Sequence, residues 1–251
     1  MLQSSTWVRP GWHAVGPILT ALGVLALILS PVGYRMGWFG VPMALLRLIP
    51  LGLGLCVLGL LVSVVAIVLT PAGVGFSQSI ALWAAVVVSV GVCILPVLEI
   101  MQARKVPPIH DITTNTDLPP TFVALAADRV ASPNGLDYGG PQLASEQKAA
   151  YPDLKTLFST LSPDALFARV QQAVRDAGWH VAEANASEGR IEAVETSSVY
   201  GFKDDIVVLI RSDVNGSRLD MRSASRVGHS DLGVNAARIR KFLARLGQSP
   251  Q

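Results

Sequence analysis

The chain has 251 residues, of which 51% are hydrophobic, and a formal net charge of +2. Of its 20 Lys and Arg and 18 Asp and Glu residues, only three arginines and one glutamate precede position 100. The part after position 100 is therefore balanced in charge and lacks the basic excess of a nucleic-acid-binding domain. This composition predicts a membrane anchor followed by a neutral, water-soluble domain, and it excludes nucleic acid as a partner.

Three apolar runs predict transmembrane helices at about residues 15–30, 48–69 and 80–98. The second run has 22 residues without a charge, enough to cross a hydrocarbon core of about 30 Å. The first is short and contains Pro17, so a cleavable signal peptide is its alternative interpretation. Pro31 begins a poor cleavage site, and Trp12 and Trp38 flank the run as interfacial aromatics do. We therefore predict a multi-span α-helical membrane anchor over residues 1–105, with the lipid bilayer as a partner.

The ionisable residues of the predicted spans lie at their ends, as Arg47 and Glu99 do. A transport path usually needs such groups in mid-membrane, so this placement argues against a channel or transporter. The positive charges that flank the spans favour a cytoplasmic side for the following domain by a margin of a few residues.

Residues 106–251 are predicted to form a soluble α+β domain that begins with an extended, proline-rich lead. Ser162 and Pro163 are typical of the start of a helix, which Gly178 ends. A last helix is predicted over about 231–246, with Ser230 as its cap. Its apolar stripe comprises Leu232, Ala236, Ile239, Leu243 and Leu246.

Four strands are predicted between these helices, at 179–184, 190–196, 205–211 and 217–225. Asn215 and Gly216 are a strong hairpin signal between the last two. The order helix, four strands, helix predicts a two-layer domain in which both helices cover one face of a four-stranded antiparallel sheet.

Side chains of the fourth strand alternate between two faces. Leu219, Met221, Ser223 and Ser225 are predicted to face the helices. The charged set on the other side comprises Arg218, Asp220, Arg222 and Arg226, with Glu192 or Glu195 as cross-strand partners. This set is either a solvated salt-bridge face or a platform that grips an anion or a partner protein, since Arg suits bidentate contacts.

The loop 228–233 leads into the last helix, where free backbone N–H groups favour an anion. The candidate ligand-binding residues are Arg218, Arg222, Arg226, Gly228, Ser230, Gly233 and Arg238. A lipid phosphate or sugar phosphate fits such a site. The structural alternative is that Asp220, Asp231 and Asn235 form a network that ties the last helix to the sheet.

Catalytic and metal sites are weakly indicated. His229, Ser230 and Asp231 are the residue types of a hydrolase triad, but consecutive side chains rarely point at one another. A metal set drawn from His110, Asp111, Asp117, Asp204 and Asp205 has no specific spacing. We predict no catalytic residue, no metal and no cofactor.

Over about 107–246 the chain resembles the bacterial family called domain of unknown function 1499. The motifs are Pro107-Pro-Ile-His-Asp-Ile-Thr-Thr114, Tyr151-Pro-Asp-Leu154, Gly189-Arg-Ile-Glu-Ala193, Gly201-Phe-Lys-Asp-Asp205, Asp220-Met-Arg-Ser-Ala-Ser-Arg-Val-Gly228 and Asp231-Leu-Gly-Val-Asn-Ala-Ala-Arg-Ile-Arg240. The resemblance implies no activity. It does imply a multi-pass protein of the bacterial inner membrane with its domain outside the cytoplasm, against the charge count, so the side stays open with a lean to the periplasm.

Together these features predict a non-enzymatic, membrane-anchored module that binds an anionic ligand or a protein of the cell envelope. One alternative is an envelope hydrolase that uses His229 or the pair Asp204 and Asp205. The other is a purely structural or assembly domain.

Overall fold

The computed structural model describes residues 11–69 and 75–247. The chain divides into two compact units, Met1–Met101 and Gln102–Gln251. The first is helical and the second is built on an antiparallel sheet.

The first unit contains α1 (Val15–Arg35), α2 (Ile49–Leu69) and α3 (Phe76–Ala103), and a π-helical stretch, Pro42–Leu48, leads into α2. Three helical stretches, Trp12–Arg35, Pro42–Leu69 and Phe76–Met101, are long and apolar enough to cross a membrane. They are compatible with a membrane-anchored protein. The first helix continues through Pro31 to Arg35, so it is longer than the predicted run. Proline is tolerated in such helices because neighbouring groups satisfy the freed carbonyl.

Glycines allow α1 and α2 to pack closely. A Cβ atom on Gly23 would lie 2.7 Å from the carbonyl oxygen of Gly52, and one on Gly59 would lie 2.9 Å from that of Gly16. Close approach of backbones through small residues is the usual packing mode of membrane helices. Thr20 and Ser89 add a hydroxyl–hydroxyl bond of 3.1 Å between α1 and α3.

The second unit contains six strands and four helices in the described residues. The strands are β1 (Asp111–Thr113), β2 (Leu157–Ser159), β3 (His180–Asn185), β4 (Arg190–Thr196), β5 (Lys203–Asp213) and β6 (Gly216–Ser225). The helices are α4 (Ala126–Val130), α5 (Gly140–Ala150), α6 (Pro163–Asp176) and α7 (Val234–Gly247).

The sheet is an antiparallel meander of β3 to β6, and β1 and β2 both pair with the outer edge of β6. Asp111 lies opposite Ala224, near the end of β6, and Leu157 lies opposite Leu219, near its start. The predicted count of four strands was wrong because β1 and β2 have three residues each, too few for a period-two pattern.

The outer edge of β1 is closed by a side chain. The buried Gln147 of α5 accepts the N–H of Thr113 at 3.0 Å and donates to the carbonyl of the same residue at 2.6 Å. The amide thus occupies the two backbone groups that a further strand would use.

Helices α6 and α7 both cover one face of the sheet, as predicted. Their core includes Leu166 and Val170 of α6 and Ile239 of α7, packed on Leu219 and Met221 of β6. The stripe predicted for α7 requires two corrections, since Phe242 is a central core residue and Leu232 precedes the helix. Leu232 and Gly233 have positive φ angles of 54° and 83°, so the chain turns there and α7 begins at Val234 instead of 231.

The other face is covered near the end of β6, so the predicted two-layer arrangement is incomplete. Phe122, Leu125 and Leu136 pack there on Val207 and Ala224. The buried carboxylate of Glu192 accepts the N–H groups of Val123 at 2.7 Å and Leu125 at 2.9 Å, which holds this cover in place. Such an irregular segment has no periodic sequence pattern from which it could be predicted.

Candidate functional site

Arg222 lies on the covered face of β6 and is fully engaged. Its Nε and Nη2 atoms donate to the two carboxylate oxygens of Asp111 at 2.9 and 2.7 Å. Carbonyl oxygens of Pro120 and Leu136 accept further bonds at 3.2 and 3.1 Å, and the ring of Phe122 lies 4.9 Å from Cζ. Arg222 is 2% exposed, so a ligand would have to displace Asp111 to reach it.

Arg226 and Arg129 share the buried carboxylate of Asp205. Arg226 donates to it from Nε and Nη2 at 2.9–3.0 Å and also pairs with Asp128. Arg129 donates from Nη1 to Asp205 at 3.1 Å and to the carbonyl of Ala224 at 3.0 Å. Burial lowers the pKa of Arg129, whereas the carboxylate partners outweigh burial and raise the pKa of Arg226. Asp205 therefore neutralises guanidinium groups inside the domain.

Arg238 belongs to the opposite face, beneath α7. Its Nη2 donates to Asp204 at 2.6 Å and its Nη1 donates to Ser223 Oγ at 2.8 Å. It also bonds to Glu195 and to Asn235. Glu192 and Glu195 were predicted as cross-strand partners of the β6 arginines, but they bind elsewhere. Glu195 pairs with Arg238, and Glu192 accepts backbone N–H groups of the segment that covers the other face.

The loop 228–233 uses its own backbone donors. The Asp231 carboxylate accepts the N–H groups of Gly233 at 2.8 Å and Asn235 at 2.7 Å, and Ser230 Oγ accepts that of Leu232 at 3.2 Å. Asp231 therefore caps α7, whereas Ser230 was the predicted cap. The carbonyl of Gly228 accepts a bond from Asn134 at 2.9 Å.

The predicted structural residues divide into two clusters. Asn235 donates to the carbonyl of His110 at 2.9 Å and to Ser225 Oγ at 3.0 Å, which ties α7 to the sheet. Asp220 is separate from it. Its carboxylate accepts bonds from Thr114, Asn115 and Thr156 at 3.2, 3.3 and 2.5 Å, which joins the segments around β1 and β2.

Arg218 differs from the other three candidate arginines. Within residues 11–69 and 75–247, the side chains of Arg218 and of Arg211, its partner in register on β5, have no ion-pair or hydrogen-bond partner. Arg218 Nε is buried without an acceptor, and the nearby Asp220 is bonded elsewhere. Like charges directly opposite each other on neighbouring strands destabilise a sheet. Arg211 and Arg218, hereafter the arginine pair, are therefore an uncompensated cationic site.

Phe158 of β2 lies opposite Arg218 on its other side and is 65% exposed. Sequence reasoning missed both Phe158 and Arg211. The turn lies at Val214 and Asn215, which places Asp213 opposite Gly216 and hence Arg211 opposite Arg218. The predicted turn at Asn215 and Gly216 would instead have placed Arg211 opposite Asp220. Phe158 gave no signal, since its strand is too short.

The residues of the hydrolase alternative are dispersed. Asp204 and Asp205 are consecutive in β5, so they point to opposite faces and each is paired with arginine. His110 and His229 both line a cleft of about 410 Å³. Burial lowers the pKa of His110, whose Nδ1 has no partner in the described part of the chain. No three His, Cys, Asp or Glu residues among those described are placed to hold a metal ion.

Comparison with known proteins identifies a family. The family model described as protein of unknown function (DUF1499) matches residues 111–246, more than half of the chain, which confirms the resemblance seen in the motifs. No curated protein matches the chain.

Proposed function

Since the chain belongs to the family described as protein of unknown function (DUF1499), we propose its role from its own residues. It is a non-enzymatic, membrane-anchored module whose second unit binds an anionic ligand or an anionic partner in the bacterial envelope. The arginine pair is the observation that carries this proposal.

Two guanidinium groups without carboxylates suit an anion. Each presents N–H donors in a planar fork that matches the oxygens of phosphate or carboxylate. Arg222, Arg226 and Arg238 have such partners within the domain, so only Arg218 of the predicted set is free to bind without breaking an ion pair. Binding would also supply an acceptor to the buried Nε of Arg218.

The setting that we propose is the bacterial inner membrane, with the second unit on the periplasmic side. The three apolar helices support a membrane anchor. A reporter enzyme that is active only in the periplasm, fused after Gln251, tests the side. Activity places the domain outside the cytoplasm, and inactivity with a positive cytoplasmic reporter places it inside.

Anion binding is tested on the full-length chain in detergent. Titration calorimetry with inorganic phosphate should show binding to the wild type and at least about tenfold weaker binding to the double variant Arg211→Gln, Arg218→Gln, since each good charged contact contributes about 1.5–3 kcal/mol. Arg245→Gln, which removes an exposed arginine of α7, is the matched control and should bind as the wild type does. Equal binding by the double variant, or none by the wild type, would overturn the proposal.

A purely structural domain is the second candidate, because most of the predicted charged residues bond within the fold. Asp220 separates the two. Asp220→Ala should lower the midpoint of thermal unfolding, since three donors lose their acceptor, and should leave phosphate affinity unchanged. A structural domain would show the same loss of stability with no phosphate binding in any variant.

A further inference from the structure

A groove of about 740 Å³ is lined in part by Phe158, the β2 residue opposite Arg218. This volume is within the range of small-molecule binding sites. Its lining is mixed. Polar side chains come from Thr114, Asn115, Thr116, Asp117, Lys148, Lys155 and Thr156, and apolar ones from Tyr151, Pro152, Leu154 and Phe158. Such a lining suits a sugar ring, whose hydroxyl groups can bond to the polar side chains while its C–H face packs on the apolar ones.

Some of these polar groups are already committed and others are free. Thr114, Asn115 and Thr156 are held by Asp220, and Lys148 is paired with Asp117 at 2.9 Å. Among the described residues no partner exists for the hydroxyl of Thr116 or the ammonium of Lys155. The hydroxyl of Thr116, which can donate and accept a hydrogen bond, and the ammonium of Lys155 are therefore available to a ligand.

Phe158 connects the groove to the arginine pair. It lines the groove and lies directly across from Arg218 in the pairing of β2 with β6. Adjacent strands are about 4.8 Å apart, so Phe158, Arg218 and Arg211 form a row about 10 Å long. The exposed aromatic face, which carries partial negative charge, attracts the C–H face of a sugar ring.

On the basis of the proposed function, we infer that the ligand is an anionic carbohydrate. Its sugar ring stacks on Phe158 and extends along the groove past Thr116 and Lys155. Its phosphate or carboxylate group is bound by Arg218 and Arg211.

The experiment compares four probes on the full-length chain in phosphatidylcholine nanodiscs: glucose 1-phosphate, glucuronic acid, inorganic phosphate and glucose. Glucose 1-phosphate should bind wild-type protein at least about tenfold more tightly than inorganic phosphate, because the sugar ring also stacks on Phe158. A tenfold difference in affinity corresponds to about 1.4 kcal/mol. Phe158→Ala should abolish this difference and leave phosphate affinity unchanged. Phe158→Leu, which retains an apolar side chain, should do the same, and Val130→Ala, at another exposed apolar residue, should have no effect.

The outcomes separate this inference from the anion site itself. If glucose 1-phosphate and phosphate bind equally to the wild type, the carbohydrate inference fails and the anion site stands. If no probe binds, both fail. If phosphatidylglycerol vesicles bind at the arginine pair but neither glucose 1-phosphate nor glucuronic acid does, the ligand is a lipid headgroup and the inference is overturned. Glucuronic acid distinguishes a carboxylate ligand from a phosphate ligand.

Discussion

The two halves of β6 differ in whether their arginine side chains are paired with carboxylates. In residues 221–225, the entry half, Arg222 is buried and paired with Asp111, and Arg226, directly after the strand, is paired with Asp205. In residues 216–220, the hairpin half, Arg218 faces Arg211 and has no carboxylate partner among the described residues. The cover formed by Phe122, Leu125 and Leu136 lies over the entry half.

This difference shows that burial and compensation accompany each other along the strand. A buried guanidinium without a counter-ion would cost several kcal/mol, so the covered half requires a carboxylate for each arginine. Arg218 is half-buried and Arg211 is exposed, so solvent reaches part of the arginine pair, which remains unpaired. Charge available for a ligand is therefore found where the cover ends.

The largest expected effect is the loss of Asp205 from the entry half. Asp205→Ala leaves the fully buried Arg129 without its carboxylate, and the free energy of unfolding should fall by about 3–5 kcal/mol. Asp128→Ala, at the 58% exposed partner of Arg226, should cost less than about 1 kcal/mol. Denaturant unfolding of the full-length chain, followed by tryptophan fluorescence, measures both. Equal losses would show that burial does not govern the contrast between the halves.

A pH dependence should also arise beside the entry half, at His110, whose carbonyl accepts the N–H of Ser225. Burial is the main cause that lowers the pKa of His110, with Arg129 adding to it and Asp111 and Asp231 opposing it. Between the lowered pKa and the ordinary value of 6.5, the unfolded chain binds a proton that the folded chain does not. The stability contributed by neutral His110 is thus present above pH 6.5 and decreases as the pH falls below it. His110→Gln should lose this component, and parallel wild-type and variant curves between pH 7.5 and 5.5 would contradict the assignment.

The smallest expected effect is a gain of stability in the hairpin half. Arg211→Thr removes one of two opposed like charges, and the free energy of unfolding should rise by about 0.2–1 kcal/mol in phosphate-free buffer. Arg190→Thr is the matched control on β4, because Arg190 bonds to the carbonyl of Thr121 and to Glu188, and its loss should destabilise. Calorimetric unfolding midpoints compare the two. A loss of stability at Arg211 would mean that the arginine pair is compensated after all.

The elements with local signals were the predictable ones. The caps around α6, the presence of a hairpin between β5 and β6 and the alternation along β6 follow from residues near one another in sequence, and the structure contains them, although the turn lies one residue earlier than its Asn-Gly signal. The face on which each arginine of β6 lies was also predictable. Whether that arginine is free was not, because Asp111 reaches Arg222 across 111 positions and Asp205 reaches Arg226, directly after β6, across 21. Long-range partners of this kind leave no periodic trace in a single sequence.

The amide of Gln147, which mimics a strand at the edge of β1, has a consequence for assembly. An open edge of a sheet recruits other chains through main-chain hydrogen bonds, and this amide occupies the donor and acceptor of Thr113 that such recruitment would need. At the opposite margin, β3 is interrupted by an irregularity between Val181 and Glu183 that bends the strand. Strand addition is therefore discouraged at β1 and at β3, where complexes formed by this domain should depend on side-chain recognition and not on sheet extension.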